Sequence, residues 1–166
     1  MIDVPQDVIS KPKDVTEVVS PERFNDVTRC VVGMPLSYAW RGYGSAVFFE
    51  FGELKPDGKH LKGEATAMLE WSWRVEKRKS VFFGSFSGDR RITNQLQSLV
   101  GREVVDITVD GRLPELVITL SSGVWIHSFT TVEGHPEWTL FLPDGSCLSS
   151  RLGRVELEAC NKNPKG

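Results

Sequence analysis

Short apolar runs, each bounded by a tight-turn signal, follow one another along most of this chain. Asp57–Gly58, Asp110–Gly111, Ser122–Gly123 and Asp144–Gly145 are dipeptides that accept the left-handed backbone of hairpin turns. Strand-like segments between such signals, at intervals of roughly ten residues, predict an antiparallel β-sandwich or barrel. The strands are expected near 34–41, 44–54, 62–76 and 79–86, then near 102–110, 113–121, 123–131, 136–142, 146–151 and 154–160. Two short helices complete a mainly β fold. Ser20 before Pro21 is an N-cap followed by proline at the first helical position. Ser87 or Asp89 is expected to cap the second helix, whose apolar positions are Ile92, Leu96 and Leu99. Gly33 and Gly101 stand where a helix-ending glycine belongs.

The same pattern is written twice. PERFNDVTRCVVG (21–33) aligns with DRRITNQLQSLVG (89–101) at an offset of 68, AVFFEFG (46–52) with ELVITLS (115–121) at 69, and LEWSW (69–73) with PEWTL (136–140) at 67. Two halves, 21–88 and 89–160, are therefore expected to relate by a pseudo-twofold axis inside one β-rich domain. Residues 1–20 read as a flexible lead-in and 161–166 as a tail. Strand alternation sorts the faces: Trp125, His127 and Phe129 on one side, Trp138, Leu140 and Leu142 on one side, and Trp71, Trp73 and Val75 on one side. Trp71 and Trp138 are then the matched core anchors of the two halves. Glu70 and Glu137 are expected to point to solvent or to the seam.

With 166 residues, 40% of them hydrophobic, the chain is long enough to bury a core without metal or disulfides. The net charge of −2 supplies no field for nucleic acid or an anionic membrane, and no apolar run reaches the roughly 18 residues of a membrane helix. The N-terminal residues show no secretion signal. Cys30, Cys147 and Cys160 have no CxxC spacing and are expected to be free thiols in a reducing cytosol.

Few residues suggest chemistry. Trp40, Arg41 and Tyr43 sit at a glycine-containing bend that either displays them or packs them as a corner. His127, Glu133, His135 and Glu137 fall within one segment, HSFTTVEGHPE. Two imidazoles and a carboxylate are zinc-ligand types, which defines an alternative: a metal-assisted hydrolase using His127, His135 and Glu133. Glu70 and Glu137, brought together by a twofold, make a carboxylate pair of the kind glycosidases use. The histidines have no HxH or HExxH spacing, GYGSA (42–46) opens no helix, and no GxSxG is present. Arg74, Lys77, Arg78 and Lys79 read as a basic hairpin tip, too short for a nucleic-acid site. No metal or cofactor is expected.

LVGREV (99–104), GRLPELVITLSSG (111–123) and EWTLFLPDG (137–145) together resemble small, uncharacterised, strand-rich bacterial domains, some found near toxin–immunity genes. That resemblance implies a cytoplasmic bacterial protein with a binding role and brings no catalytic residues. The expectation is thus a non-enzymatic protein-binding or regulatory module, immunity-like, monomeric or homodimeric, using Trp40, Arg41, Tyr43, His127, Glu133, His135 and Glu137. A structural subunit associating through open strand edges is a third expectation.

Overall fold

A computed structural model describes residues 15–160. In chain order it contains β1 (Glu17–Val18), α1 (Pro21–Thr28), β2 (Leu36–Arg41), β3 (Val47–Phe51), β4 (Lys55–Asp57), β5 (His60–Lys62), β6 (Ala65–Leu69), β7 (Ser72–Lys77) and β8 (Ser80–Gly84). The second half adds α2 (Asp89–Leu99), β9 (Val104–Asp110), β10 (Glu115–Leu120), β11 (Val124–Phe129), β12 (Trp138–Phe141), β13 (Ser146–Arg151) and β14 (Arg154–Ala159). The fold is mainly β, as the turn pattern predicts. A larger sheet runs β1-β14-β13-β12-β6-β3-β2 and a smaller one β8-β7-β11-β10-β9, with antiparallel pairing throughout and a separate β4–β5 hairpin.

The strand order shows how the two halves combine. β2, β3 and β6 of the first half lie in the larger sheet, while β7 and β8 pass to the smaller one. β9, β10 and β11 of the second half lie in the smaller sheet, while β12, β13 and β14 pass to the larger one. Each helix packs on the first strand of the other half, α1 on β9 and α2 on β2. The seam is reciprocal at an offset of 68. Leu36 N–H donates to Arg102 C=O at 2.7 Å and Val104 N–H to Met34 C=O at 2.9 Å. Gly33 N–H donates to Val104 C=O and Gly101 N–H to Leu36 C=O, both at 2.8 Å. Gly33 and Gly101 take φ of +90° and +96°, a backbone that glycine adopts without a Cβ penalty. These hydrogen bonds establish reciprocity of connection between the halves.

The core lies between the sheets. Val47, Phe49, Phe51, Ala67, Leu69, Leu140 and Leu148 from the larger sheet meet Val75, Phe83, Ile107, Leu116, Ile118 and Ile126 from the smaller. Two indoles complete it, and they correct the expected pair. Trp138 is fully buried, as predicted, but its counterpart is Trp73. Trp73 pairs with Ser128 and Trp138 with Leu69, each at the strand where its half changes sheet. Trp73 Nε1–H donates to Ser45 C=O at 2.7 Å, and Trp138 Nε1–H to Pro114 C=O at 2.8 Å. Ser45 and Pro114 are related by the offset of 69 that aligns the strands following them. Trp71 stands outside the core. The expected strand 62–76 breaks at Glu70–Trp71, where the chain crosses between sheets and Trp71 takes φ +59°.

Other expectations are adjusted at the ends of elements. Ser20 caps α1, its Oγ accepting from Arg23 N–H at 3.1 Å. Gly88, rather than Ser87 or Asp89, is the N-cap of α2, and Ser87 Oγ instead accepts from Gly84 N–H. Gly101 follows the α2 C-cap Val100, whereas Gly33 lies well beyond the α1 C-cap Arg29. Part of the expected lead-in is ordered into the larger sheet as β1; residues 1–14 and the tail 161–166 lie outside the described residues. Two sheet edges are covered by α2: Gln97 Nε2 donates to Ala39 C=O on edge strand β2, and Arg91 Nη2 to Phe82 C=O on edge strand β8. These bonds occupy outward carbonyls that edge-to-edge association would use.

The cysteine expectation is corrected. Cys147 and Cys160 form a disulfide with a Cα–Cα distance of 5.7 Å, while Cys30 is free and exposed. Antiparallel pairing of β13 with β14 returns the chain to itself, so residues far apart in sequence become neighbours; Ser146 faces Ala159, and Cys160 N–H donates to Gly145 C=O at 3.0 Å.

Trp73→Phe and Trp138→Phe each remove one indole bond and part of a core ring, so each should lower unfolding free energy by about 2 kcal/mol. Trp71→Phe should shift it by less than about 0.5 kcal/mol. Urea denaturation of the three variants checks this, and equal effects at Trp71 and Trp73 would refute the assignment. Asp144 accepts from Ser146 Oγ at 2.5 Å and Ser146 N–H at 2.9 Å, and these bonds hold its carboxyl below the ordinary range. The stabilisation is therefore present above pH ~4 and is lost as pH falls through the depressed value. Acid titration of stability should show a smaller loss in Asp144→Asn than in the parent.

Candidate functional site

Strands β2, β6, β8, β9, β11 and β13 all run toward one end of the molecule, and their following loops meet there. Contacts between loops confirm the shared location. The indoles of Trp73 and Trp138 bind the β2–β3 and β9–β10 turns. Glu70 N–H donates to Glu137 C=O at 2.8 Å, and the hydroxyls of Ser72 and Thr131 lie 3.1 Å apart. Arg41 reaches Asp89 at the start of α2 at 3.0 Å.

Large apolar side chains project from five of these loops. Tyr43 is 101% exposed, Phe86 94%, Leu152 73%, Leu113 55% and Trp71 54%. They come from the β2–β3, β8–α2, β13–β14, β9–β10 and β6–β7 connections. An open groove of about 530 Å³ lies at the same end, lined by Leu113, Leu152 and the Thr130–His135 stretch, Glu133 and His135 among them. Arg112, Arg151, Asp110 and Glu133 are exposed around it, with both signs of charge present.

The longest of these loops, between β11 and β12, is clamped from below by Glu137. This carboxylate is fully buried, not turned to solvent or to the seam as expected. Its Oε1 accepts from the backbone N–H of Thr131, from Thr131 Oγ1 at 3.1 Å and from Val132 N–H at 2.9 Å. Three donors on one oxygen explain how a loop of polar and small residues keeps a defined path. With its side chain sealed from solvent, Glu137 does not form half of a solvent-accessible acid–base pair with Glu70.

The remaining predicted residues separate. Trp40 lies on the outer face of the larger sheet, stacked on Phe48 (centroids 4.0 Å apart) and on His60 (3.8 Å). Its Nε1–H donates to Glu50 Oε1 at 3.1 Å, so the indole is a clasp for the β4–β5 hairpin. Gly42 makes the stack possible, since a Cβ there would lie 2.7 Å from the Phe48 ring. Arg41 is paired with Asp89, and only Tyr43 of this corner is fully presented. His127 is on the outer face of the smaller sheet, stacked on Phe129 at 4.5 Å, with Nδ1 2.6 Å from Ser128 C=O. Trp125, His127 and Phe129 share that face as the alternation predicts, but it is a different surface from the groove holding Glu133 and His135. Among the described residues, the one group of three donors close enough to share an ion is Cys147, Glu158 and Cys160; His127, His135 and Glu133 form no such group. Of the basic cluster, Arg78 and Lys79 form the hairpin tip with φ of +53° and +59°, while Arg74 is mid-strand and paired with Glu76 at 2.6 Å.

Sequence reasoning missed Trp71, Phe86, Leu113 and Leu152. A signal was present: each is a large apolar residue within or beside a loop of small, charged or turn-forming residues, in LEWSW, SFSG, GRLPE and RLGR. Comparison of the chain with protein-family models, curated proteins and solved structures finds no match.

Glu137→Ala should leave the Thr131 and Val132 amides without their acceptor. Exchange at those two amides should rise at least about tenfold and stability fall by about 1–3 kcal/mol. Unchanged protection at both positions, measured by hydrogen exchange, would show that the loop is held by something else.

Proposed function

We propose that this protein is a non-enzymatic binding module that grips a protein partner through its loop end. The observation that supports the reading is the exposure of Tyr43, Trp71, Phe86, Leu113 and Leu152 on separate loops at one end of the molecule, where Leu113 and Leu152 also line a groove. Large apolar patches on a folded surface are destabilising in water unless something covers them, and interaction sites are where they concentrate. Exposed aromatic and aliphatic tips, with charged residues beside the groove, suit a protein interface, which has an apolar centre and a polar rim. The mixed signs of Arg112, Arg151, Asp110 and Glu133 favour a protein over an anionic membrane, which selects for a uniformly basic rim.

The resemblance of the second half to domains near toxin–immunity genes adds the kind of partner: a protein to be neutralised or regulated. No helix among the described residues is long and apolar enough to cross a membrane. A cytoplasmic setting belongs to this proposal only with the Cys147–Cys160 pair reduced there, since cytosolic thiol systems open most disulfides.

The test uses the full chain as bait in a lysate of its own host, beside a Tyr43→Ser/Trp71→Ser/Leu152→Ser variant. Because these side chains are exposed, the variant should keep its melting temperature. A partner recovered by the parent should bind the variant at least about a hundredfold more weakly in titration. Equal binding by both proteins would reject the loop end as the site. Capture of the parent by phosphatidylcholine or phosphatidylserine vesicles, lost in the variant, would reject a protein partner in favour of a lipid surface.

A further inference from the structure

At the opposite end from the loops, three metal-ligating side chains converge. Cys147 and Glu158 are directly opposed across the β13–β14 pair, and Cys160 lies two positions after Glu158. Alternation along an extended chain places Glu158 and Cys160 on the side that Cys147 faces. One ligand atom from each lies within 4.8 Å of the others, and Cys147 Sγ is 4.0 Å from Glu158 Oε1. Cys147 is buried, while Glu158 and Cys160 are half-buried. Among the described residues Glu158 has no salt bridge, and its side chain contacts no hydrogen-bonding group apart from the Cys147 sulfur. Once the disulfide is reduced to thiolates, this carboxylate completes a set of three donors.

We propose that Cys147, Cys160 and Glu158 form a redox-gated site for a thiophilic divalent cation of the zinc class. Two thiolates and one carboxylate leave a fourth tetrahedral position for water, an arrangement zinc accepts. Zinc–sulfur bonds of about 2.3 Å at a tetrahedral angle require sulfurs about 3.8 Å apart, and a sulfur–carboxylate pair about 3.6 Å apart. The Cys147–Glu158 contact of 4.0 Å is already near that value, and the sulfurs reach theirs by side-chain rotation after reduction. This reverses the sequence expectation, in which the cysteine spacing promised neither a disulfide nor a metal.

The gating step balances as ordinary thiol–disulfide exchange. A dithiol reductant attacks the sulfur of Cys160, the less buried of the two residues, and Cys147 leaves as a thiolate. The reductant's second thiol then displaces Cys160, so the reductant becomes a disulfide and the protein gains two electrons and two protons. Binding of the cation releases those two protons to solvent. Oxidation and metal binding thus compete for the same pair of sulfurs.

The experiment reduces the purified full chain with a phosphine, removes the reductant anaerobically, and titrates with Co²⁺. The reduced protein should develop thiolate-to-cobalt charge-transfer absorption saturating at one equivalent, and Zn²⁺ should bleach it. The oxidised protein should show none. Cys147→Ser should abolish the band. Glu158→Gln, a half-buried surface change that leaves the sheet intact, should weaken affinity at least about tenfold while keeping the band. Absence of the band in the reduced parent would overturn the site. Undiminished affinity in Glu158→Gln would reduce it to an adventitious dithiol and overturn the three-ligand assignment. Neither result bears on the loop end, whose residues take no part.

Discussion

Two hydrogen bonds between buried indoles and turn carbonyls hold this molecule in its present shape. Trp73 Nε1–H to Ser45 C=O and Trp138 Nε1–H to Pro114 C=O each span the two sheets. In each half, a strand that has crossed to the other sheet carries an indole that reaches back to a turn of the sheet its half began in. Burying a tryptophan ring is worth about 5 kcal/mol of apolar transfer. That transfer is non-directional and would tolerate sliding of one sheet over the other. The N–H bond supplies direction, because an unpaired indole donor in the core costs the desolvation it leaves uncompensated. Reciprocal backbone bonds between residues 33–36 and 101–104 fix the far end in the same way. The sheets are thus pinned at both ends of the core.

The pins also fix the loops behind two of the exposed apolar tips. Ser45 lies in the turn that carries Tyr43, and Pro114 follows Leu113 directly, so each indole anchors the loop behind a tip. Trp71 sits two residues before Trp73, and its left-handed backbone is the cost of changing sheets in so short a connection. Glu137, adjacent to Trp138, clamps the longest loop. Held this way, the tips would lose little further freedom on contact with the proposed partner, and that saving is what preorganisation contributes to affinity.

Much of this architecture was legible in the residues, and the failures have physical causes. Asp–Gly and Ser–Gly turns place most of the strands because the backbone requirement at those turns is local. The buried faces of Ile92, Leu96 and Leu99 and of Trp138, Leu140 and Leu142 follow from periodicity alone. Trp71 and Trp73 were not distinguishable by alternation, since residues two apart share a face of any strand that continues through both. Only the crossing at Glu70–Trp71 separates them, and a crossing is a tertiary event. The repeated Glu-Trp pair is therefore a coincidence of letters beside a real equivalence shifted by two residues. Glu137 was misread for a related reason: a carboxylate seems to belong in water until the backbone donors that loop over it are known. The disulfide was hidden because 13 residues of sequence separation say nothing about strand register.

The loop end and the cysteine end are separated by the length of the sandwich, and their energetics differ accordingly. Closing a loop of this size by a covalent link raises stability by roughly 3 kcal/mol in the chain-entropy description. That contribution acts on the terminal hairpin, where β14 pairs on one side with β13 and on the other with β1. Opening the link therefore loosens the strand that holds β1 at the sheet edge, while the pins at Trp73 and Trp138 remain in place. A cation bridging the same two sulfurs would restore the closure by coordination, since a ligand bound only by the folded state stabilises it by mass action. The outer edge of the larger sheet would then answer to redox conditions while the indole bonds of Trp73 and Trp138 keep the β2–β3 and β9–β10 turns in place.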